Sequence, residues 1–386
     1  MPSTPSEPSA AAPRPSAFEV LAVDPSSSAR RGRLRTAHGE IETPVFMPVA
    51  TAGTVKGLTP TQVWEQGARI LLANTYHLIL RPGVEIVAEL GGLHRFMAWD
   101  GAILTDSGGF QVMSLSELCV VREEGVEFRS HLDGSKIFLR PEDVVAAQCR
   151  LGVDVLMPLD VCVAATDGRS AVEDAMERTT RWAERQAALE IPGDRHLYGI
   201  VQGGLEIDLR RRHASQLAAF GFPGYAVGGL SVGEDRRMTR DVAAETAAAL
   251  PADRSRYLMG VGLPQDLLRF VGLGYDQFDC VLPTRNGRNG SCFTRNGRVN
   301  LRLARHARSS APLDDRCACY TCSRFSIGYL RHLTTSGEML GGQLATLHNV
   351  HFYLDLMTQA RAHIEQGDYT AWADSVIEQI EGGERP

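Results

Sequence analysis

Two short apolar runs in this chain end in a carboxylate. Ile103-Leu104-Thr105-Asp106 stops at an acid, and Ser107-Gly108-Gly109-Phe110-Gln111 follows. In Phe278-Asp279-Cys280-Val281-Leu282 an acid again interrupts apolar residues, with Pro283-Thr284-Arg285 next. Each reads as a buried strand that carries one carboxylate to its C-terminal tip, beside a loop whose glycines let backbone approach a ligand. An Asp after a strand is commonly only a cap or a turn residue. Here other runs end the same way, including one that closes at Asp160. Asp106 and Asp279 are therefore expected to face each other across one pocket, where one carboxylate can attack or take a proton while the other donates one.

Two further patterns carry chemistry. Cys317-x-Cys319-x-x-Cys322 places three thiols within one short stretch. With one more ligand they would make a closed, tetrahedral zinc site of structural type; His332, His348 and His351 are all candidates, and spacing does not choose among them. The other five cysteines are scattered singly, as in a reducing cytosol and not as in a disulfide scaffold. The net charge of −6 argues against a nucleic-acid partner, yet the stretch from Arg285 to Arg308 holds seven arginines and no acid. A total hides such a stripe.

The elements that would position these groups alternate along the chain. Eight apolar runs read as strands: Val45–Ala50, Arg69–Asn74, Ala102–Asp106, Val153–Asp160, Leu197–Gln202, Tyr225–Leu230, Tyr257–Val261 and Gln277–Leu282. Most are continuous in Val, Ile and Leu, as strands covered on both faces are. Helical patterns lie between most of them, for example Pro141–Leu151 and Ser170–Leu189. Eight β-then-α units imply a (β/α)8 barrel with its active site at the C-terminal ends of the strands. An open doubly wound sheet would need a Gly-x-Gly-x-x-Gly loop after its first strand, which is absent. The Ser/Pro/Ala-rich residues 1–17 read as a disordered tail. Residues 18–386 read as one barrel domain. A hairpin insertion is expected at about 112–140, turning at Asp133-Gly134, and a zinc-binding subdomain at about 290–348. No apolar stretch approaches the roughly 20 residues of a membrane helix.

Several motifs in this frame resemble the tRNA-guanine transglycosylases, which exchange a guanine base in tRNA on the way to queuosine. They are Asn74-Thr75-Tyr76-His77-Leu78, Thr105 to Val112, Tyr225-Ala226-Val227-Gly228-Gly229-Leu230, Tyr257-Leu258-Met259-Gly260-Val261-Gly262, Asp279 to Arg285, the cysteine cluster, and His348-Asn349. The resemblance covers nearly the whole chain and implies the same fold, a (β/α)8 TIM barrel with a zinc-bearing insertion. It assigns Asp279 as the nucleophile on the ribose anomeric carbon and Asp106 as the general acid/base. It places Asp106, Ser107, Gly108, Gly109, Phe110, Asp160, Gln202, Gly229, Leu230 and Met259 around the base, with Asp160 reading its N1–H and 2-amino edge. Phe110 and Met259 would sandwich the ring; many members have Tyr in place of Phe110, and Val161 replaces a common acid.

The resemblance further implies RNA contact by Gly260, Val261, Gly262, Leu263, Pro264, Gln265 and Asp266, and by Thr284, Arg285, Asn286, Gly287 and Arg288. It makes His348 the fourth ligand, beside Cys317, Cys319 and Cys322, of one structural Zn2+ per subunit. Cys162 and Val232 match the bacterial pattern, which implies 7-aminomethyl-7-deazaguanine as the incoming base, with Glu234 able to support its ammonium. The implied partners are a tRNA with a G-U-N anticodon and a second copy of the chain, in the cytoplasm. Two other readings are weaker. A carbohydrate-active barrel would share the carboxylate pair but has no use for the arginine stripe, and a non-catalytic partner subunit would be expected to lose the acids.

Overall fold

The computed structural model describes residues 17–115, 119–164, 167–230 and 235–383; the tail expected at 1–17 lies almost wholly outside them. Eight parallel barrel strands follow the expected runs: β1 (Val45–Pro48), β2 (Ile70–Asn74), β3 (Ala102–Asp106), β4 (Val155–Leu156), β5 (His196–Leu197 continuing as Gly199–Val201), β6 (Gly224–Val227), β7 (Ser255–Leu258) and β8 (Gln277–Cys280). Neighbours pair in this order, and β8 pairs back onto β1, with Val45 opposite Gln277 and Phe46 opposite Phe278. A parallel bridge between Val49 and Leu72 joins β1 to β2. The sheet is a closed barrel, so the open-sheet alternative is excluded.

The period of two along each strand decides what the barrel contains. Its lumen is filled by Val45, Met47, Val49, Ile70, Leu72, Ala102, Leu104, Val155, Met157, Tyr198, Ile200, Ala226 and Tyr257. Phe46, Leu71, Ile103, Leu156, Val201, Leu258 and Phe278 face the other way and pack with the surrounding helices. Two residues beyond Leu104, Ile200, Tyr257 and Gln277 come Asp106, Gln202, Met259 and Asp279. The same parity that buries the lumen therefore aims these four groups into its upper mouth.

Helices follow the strands as the patterns require. Pro60–Glu65 opens with a Thr59 capping box, and Pro141–Leu151 ends at Gly152 in the left-handed region. Arg169–Ala187, Ile207–Ala218, Arg236–Ala249 and Pro264–Gly272 continue the ring. The long helix Met339–Gln366 touches β1, Pro60–Glu65 and Pro264–Gly272, where an eighth barrel helix belongs. The insertion after β3 does hold a hairpin, Val126–Arg129 against Lys136–Leu139, with Cys119–Val121 as a third strand.

One element was not anticipated. Strands Phe18–Val23, Arg30–Thr36 and Gly39–Thr43 form an antiparallel sheet across the lower mouth. Arg30 makes a bidentate pair with Asp276, at 3.0 and 2.6 Å, and His38 bonds Asp154 at 2.8 Å. Each Asp immediately precedes a barrel strand, so this sheet is pinned to the end of the barrel opposite the carboxylate pair.

Candidate active site and metal centre

A cavity of about 430 Å³ opens at the C-terminal ends of the strands. Its wall includes all ten residues expected around the base and also Asp279, so Asp106 and Asp279 share one pocket, together with Leu72, Gln111, Cys162, Gly228, Tyr257, Gly260, Val281 and Arg285. Gly108 is needed at its position: φ is +82°, and a Cβ would stand 2.5 Å from Tyr76 Cβ. Phe110, 52% exposed, follows β3 and Met259 follows β7, so the two reach the cavity from opposite sides of the eight-stranded ring. Val232 and Glu234 lie outside the described residues.

The two catalytic candidates sit in different environments. The Asp279 Oδ1 accepts from the Tyr257 hydroxyl at 2.6 Å and from the Gly260 N–H at 2.8 Å. Both donors favour the carboxylate against the burial that pushes it up. Its Oδ2 has no hydrogen-bond partner among the described residues and is free to attack. Asp106 accepts from Asn74 Nδ2 at 2.5 Å and from the Thr75 N–H at 3.3 Å. Burial, and then the charge of Asp279, push it to about 8. Burial raises Asp279 as well, but its two donors oppose the rise, so the cavity pairs a carboxyl raised to about 8 with one whose charged form is hydrogen-bonded, the inventory that acid-assisted nucleophilic displacement uses.

Asp160, almost fully buried, accepts from Gln202 Nε2 at 2.6 Å and from the Cys162 thiol at 3.6 Å. Burial pushes it up despite these bonds. Its carboxylate and the free Gln202 Oε1 give the inner end of the cavity acceptors suited to ring and exocyclic N–H donors.

The expected RNA-contact segments divide on burial. In the first, Val261, Pro264 and Gln265 are buried and Asp266 pairs with Arg269, leaving Gly260 most open. In the second, Thr284 and Gly287 are buried, while Arg285 and Arg288 are exposed, Arg285 in the wall of the cavity and Arg288 in a separate groove with Arg302. Partial desolvation of its guanidinium, and then the neighbouring Arg285 charge, lower Arg288 from the usual arginine range. Farther along the stripe, Arg295 bonds Asp355 at 3.2 Å and is already engaged. Arg298, Arg302, Arg305 and Arg308 make no ion pair among the described residues.

The cysteine cluster acquires its fourth member in three dimensions. The thiols of Cys317, Cys319 and Cys322 lie 3.6, 3.6 and 3.3 Å from Nδ1 of His348. Ligand lengths of 2.3 Å to sulfur and 2.1 Å to nitrogen around a tetrahedral ion imply a separation of about 3.6 Å. His348 is fully buried, and its Nε2 lies 2.7 Å from the Phe293 carbonyl, so the ring donates there and turns its Nδ1 lone pair to the thiols. The residues fit a metal ion with no open position. Geometry thus selects His348 over the exposed His332.

Two participants were missed in the sequence: Asn74 and Tyr257. Both stood inside recognised motifs without a role. A tyrosine two residues before Met259 in an aliphatic strand was the available signal for one of them.

A sequence profile of queuine tRNA-ribosyltransferase matches residues 24–382. The chain belongs to the queuine tRNA-ribosyltransferase family. A member from Solidesulfovibrio magneticus is 56% identical over 347 residues, or 89% of this chain and 93% of that relative. Members from Desulforudis audaxviator and Symbiobacterium thermophilum are 53% and 50% identical, covering 90% and 95% of this chain. Among the described residues no helix is long and apolar enough to cross a membrane.

Proposed function

We propose that this chain exchanges the wobble guanine of tRNAs with G-U-N anticodons for 7-aminomethyl-7-deazaguanine, through a covalent enzyme–tRNA intermediate. Asp279 Oδ2 attacks the ribose anomeric carbon as the glycosidic bond to guanine breaks, and protonated Asp106 gives its proton to the departing base. The incoming base returns a proton to Asp106, and its ring nitrogen displaces Asp279. The two displacements retain configuration, and nothing is oxidised or reduced. The observation that carries this reading is the placement of Asp106 and Asp279 in the wall of one cavity, with Asp279 held by two donors on Oδ1 and Asp106 held by Asn74 and Thr75.

Asp160 and Gln202 read the base edge, and Phe110 and Met259 hold its faces. Arg285 and Arg288 meet anticodon-loop phosphates, where splayed bases become accessible. Zinc holds Cys317, Cys319, Cys322 and His348 together and fastens the subdomain to the barrel; no step of the reaction passes through it. A homodimer fits the partly stacked stripe Phe325, Tyr329 and His332, whose Tyr329 is 40% exposed.

The test is incorporation of labelled guanine into unmodified G-U-N tRNA, with Asp279→Asn in parallel. Labelling by the wild type, competed by the deazaguanine and absent in the variant, is the expected result. No labelling by folded, zinc-loaded protein would overturn it.

A further inference from the structure

The helix Ile207–Ala218 stands behind the wall of the cavity, and one turn of it sends two polar side chains beneath the wall. Arg210 and His213 are both 0% exposed. Arg210 Nε donates to the Gly204 carbonyl at 2.7 Å. Its Nη2 donates to the Gly228 carbonyl at 2.9 Å and reaches the Gly229 carbonyl at 3.4 Å, while Nη1 lies 3.4 Å from the Val201 carbonyl. Burying a guanidinium is unfavourable unless its donors are satisfied. These contacts fall on the backbone of the two segments that flank Gln202 and form the inner wall.

The geometry of the peptide unit gives these bonds a consequence. In a planar trans peptide the C=O and N–H point in opposite directions. Arg210 draws the Gly228 and Gly229 carbonyls away from the cavity, so the N–H groups of Gly229 and Leu230 face into it. Neither N–H has a partner among the described residues, and both residues line the cavity. Gly229 holds the turn with φ +65°, and a Cβ there would stand 2.6 Å from Gln202 Oε1. Next along the helix, His213 Nδ1 accepts the Gln202 N–H at 2.9 Å. Burial lowers this imidazole to about 4, so it stays neutral and keeps that acceptor.

We propose that Arg210 is a positioning residue that sets base specificity, by holding the Gly229 and Leu230 N–H groups as a paired donor site for the 6-carbonyl of a guanine-type base. This rests on the base-exchange reading above. What Arg210 adds is the fixed orientation of these two N–H groups, beside the reading of the N1–H and 2-amino edge by Asp160. A base with a poor acceptor at that position leaves two buried donors unmatched, which is where discrimination is greatest.

The test compares Arg210→Met and Arg210→Lys with the wild type in guanine exchange into tRNA, using 6-thioguanine as competitor. 6-Thioguanine keeps the N1–H and 2-amino group and puts a larger, weaker acceptor at the 6-position. In Arg210→Met the KM for guanine is expected to rise about tenfold, the loss of roughly one matched hydrogen bond. The kcat at saturating guanine and the KM for tRNA should stay within about twofold. Arg210→Lys should fall between the two, and the preference for guanine over 6-thioguanine should shrink in step. An equal loss for both bases, an effect confined to kcat or to the KM for tRNA, or unfolding of both variants would overturn the proposal. So would an unchanged KM for guanine in both variants. A wild type that exchanges no base is the separate failure of the base-exchange reading, and this proposal falls with it.

Discussion

Removing one oxygen atom, with Tyr257→Phe, should move one side of the pH profile and leave the other in place. The Tyr257 hydroxyl donates at 2.6 Å to Asp279 Oδ1 and so favours its charged form. A hydrogen bond to an ionised group contributes roughly 1.5–3 kcal/mol, and one pKa unit corresponds to about 1.36 kcal/mol. Without the hydroxyl, Asp279 should therefore titrate about 1–2 units higher. The Gly260 N–H, at 2.8 Å, remains to limit the shift. The acid limb of kcat/KM for guanine exchange, which reports the free enzyme, should rise by that amount. The basic limb belongs to Asp106 at about 8. Asp106 takes its hydrogen bonds from Asn74 and Thr75 and none from Tyr257, so this limb should not move. Guanine exchange measured across the pH range in the wild type and the variant decides the matter. A uniform fall in rate with both limbs unmoved would refute the reasoning, since Tyr257 would then serve packing and not the ionisation of the nucleophile.

Three further outcomes are expected. Asp106→Asn should abolish exchange while gaining stability relative to the wild type as pH rises from about 5 to about 8. The native carboxyl, raised to about 8, keeps a proton that the unfolded chain releases, so the wild type loses up to about 1.4 kcal/mol per pH unit in that window. Solvent reaching the open cavity lowers the native pKa and so narrows the window, with the slope inside it still set by one proton; parallel stability curves would contradict the assignment. Chelation of the metal should speed hydrogen exchange in Tyr320–Arg324 and in the hairpin Ser291–Asn300 with the carboxylate pair still in place. Loss of all chemistry in a chelated but folded protein would contradict a structural role. Arg288→Ala should weaken tRNA binding and lower the slope of log K against log salt by about one, whereas Arg295→Ala, whose guanidinium is tied to Asp355, should leave the slope unchanged.

The barrel was legible because its strands are continuous apolar runs, and the candidate site because two of those runs stop at Asp106 and Asp160 and the eighth is interrupted by Asp279. Period two then placed Asp106, Gln202 and Asp279 in the lumen mouth without further information. The sheet across the lower mouth was not legible, because Arg30-Arg31-Gly32-Arg33-Leu34-Arg35-Thr36 looks like a charged surface segment. Its inward row includes Arg30, whose partner Asp276 is 246 residues away. Arg210 was hidden for a similar reason. It stands in Arg210-Arg211-Arg212, where Arg211 and Arg212 make surface pairs with Glu245 and with Glu173 and Glu177. Which of three adjacent arginines turns inward depends on contacts that local sequence does not contain. The fourth metal ligand was open among three histidines until the fold brought His348 to the thiols.

Closure of β8 onto β1 has a consequence for how the chain is made. Val45 to Pro48 are buried throughout, and one edge of their strand has its partner only in Gln277 to Cys280. The N-terminal sheet waits longer still: Arg31 pairs with Glu365, and Asp24 accepts the Tyr369 N–H. A ribosome releases the first strand well before either partner exists. During that interval an apolar strand with an open edge is exposed to other nascent chains. Synthesis should therefore be the period when this protein most depends on chaperones, and destabilising the last two helices should lower its soluble yield more than its rate of turnover.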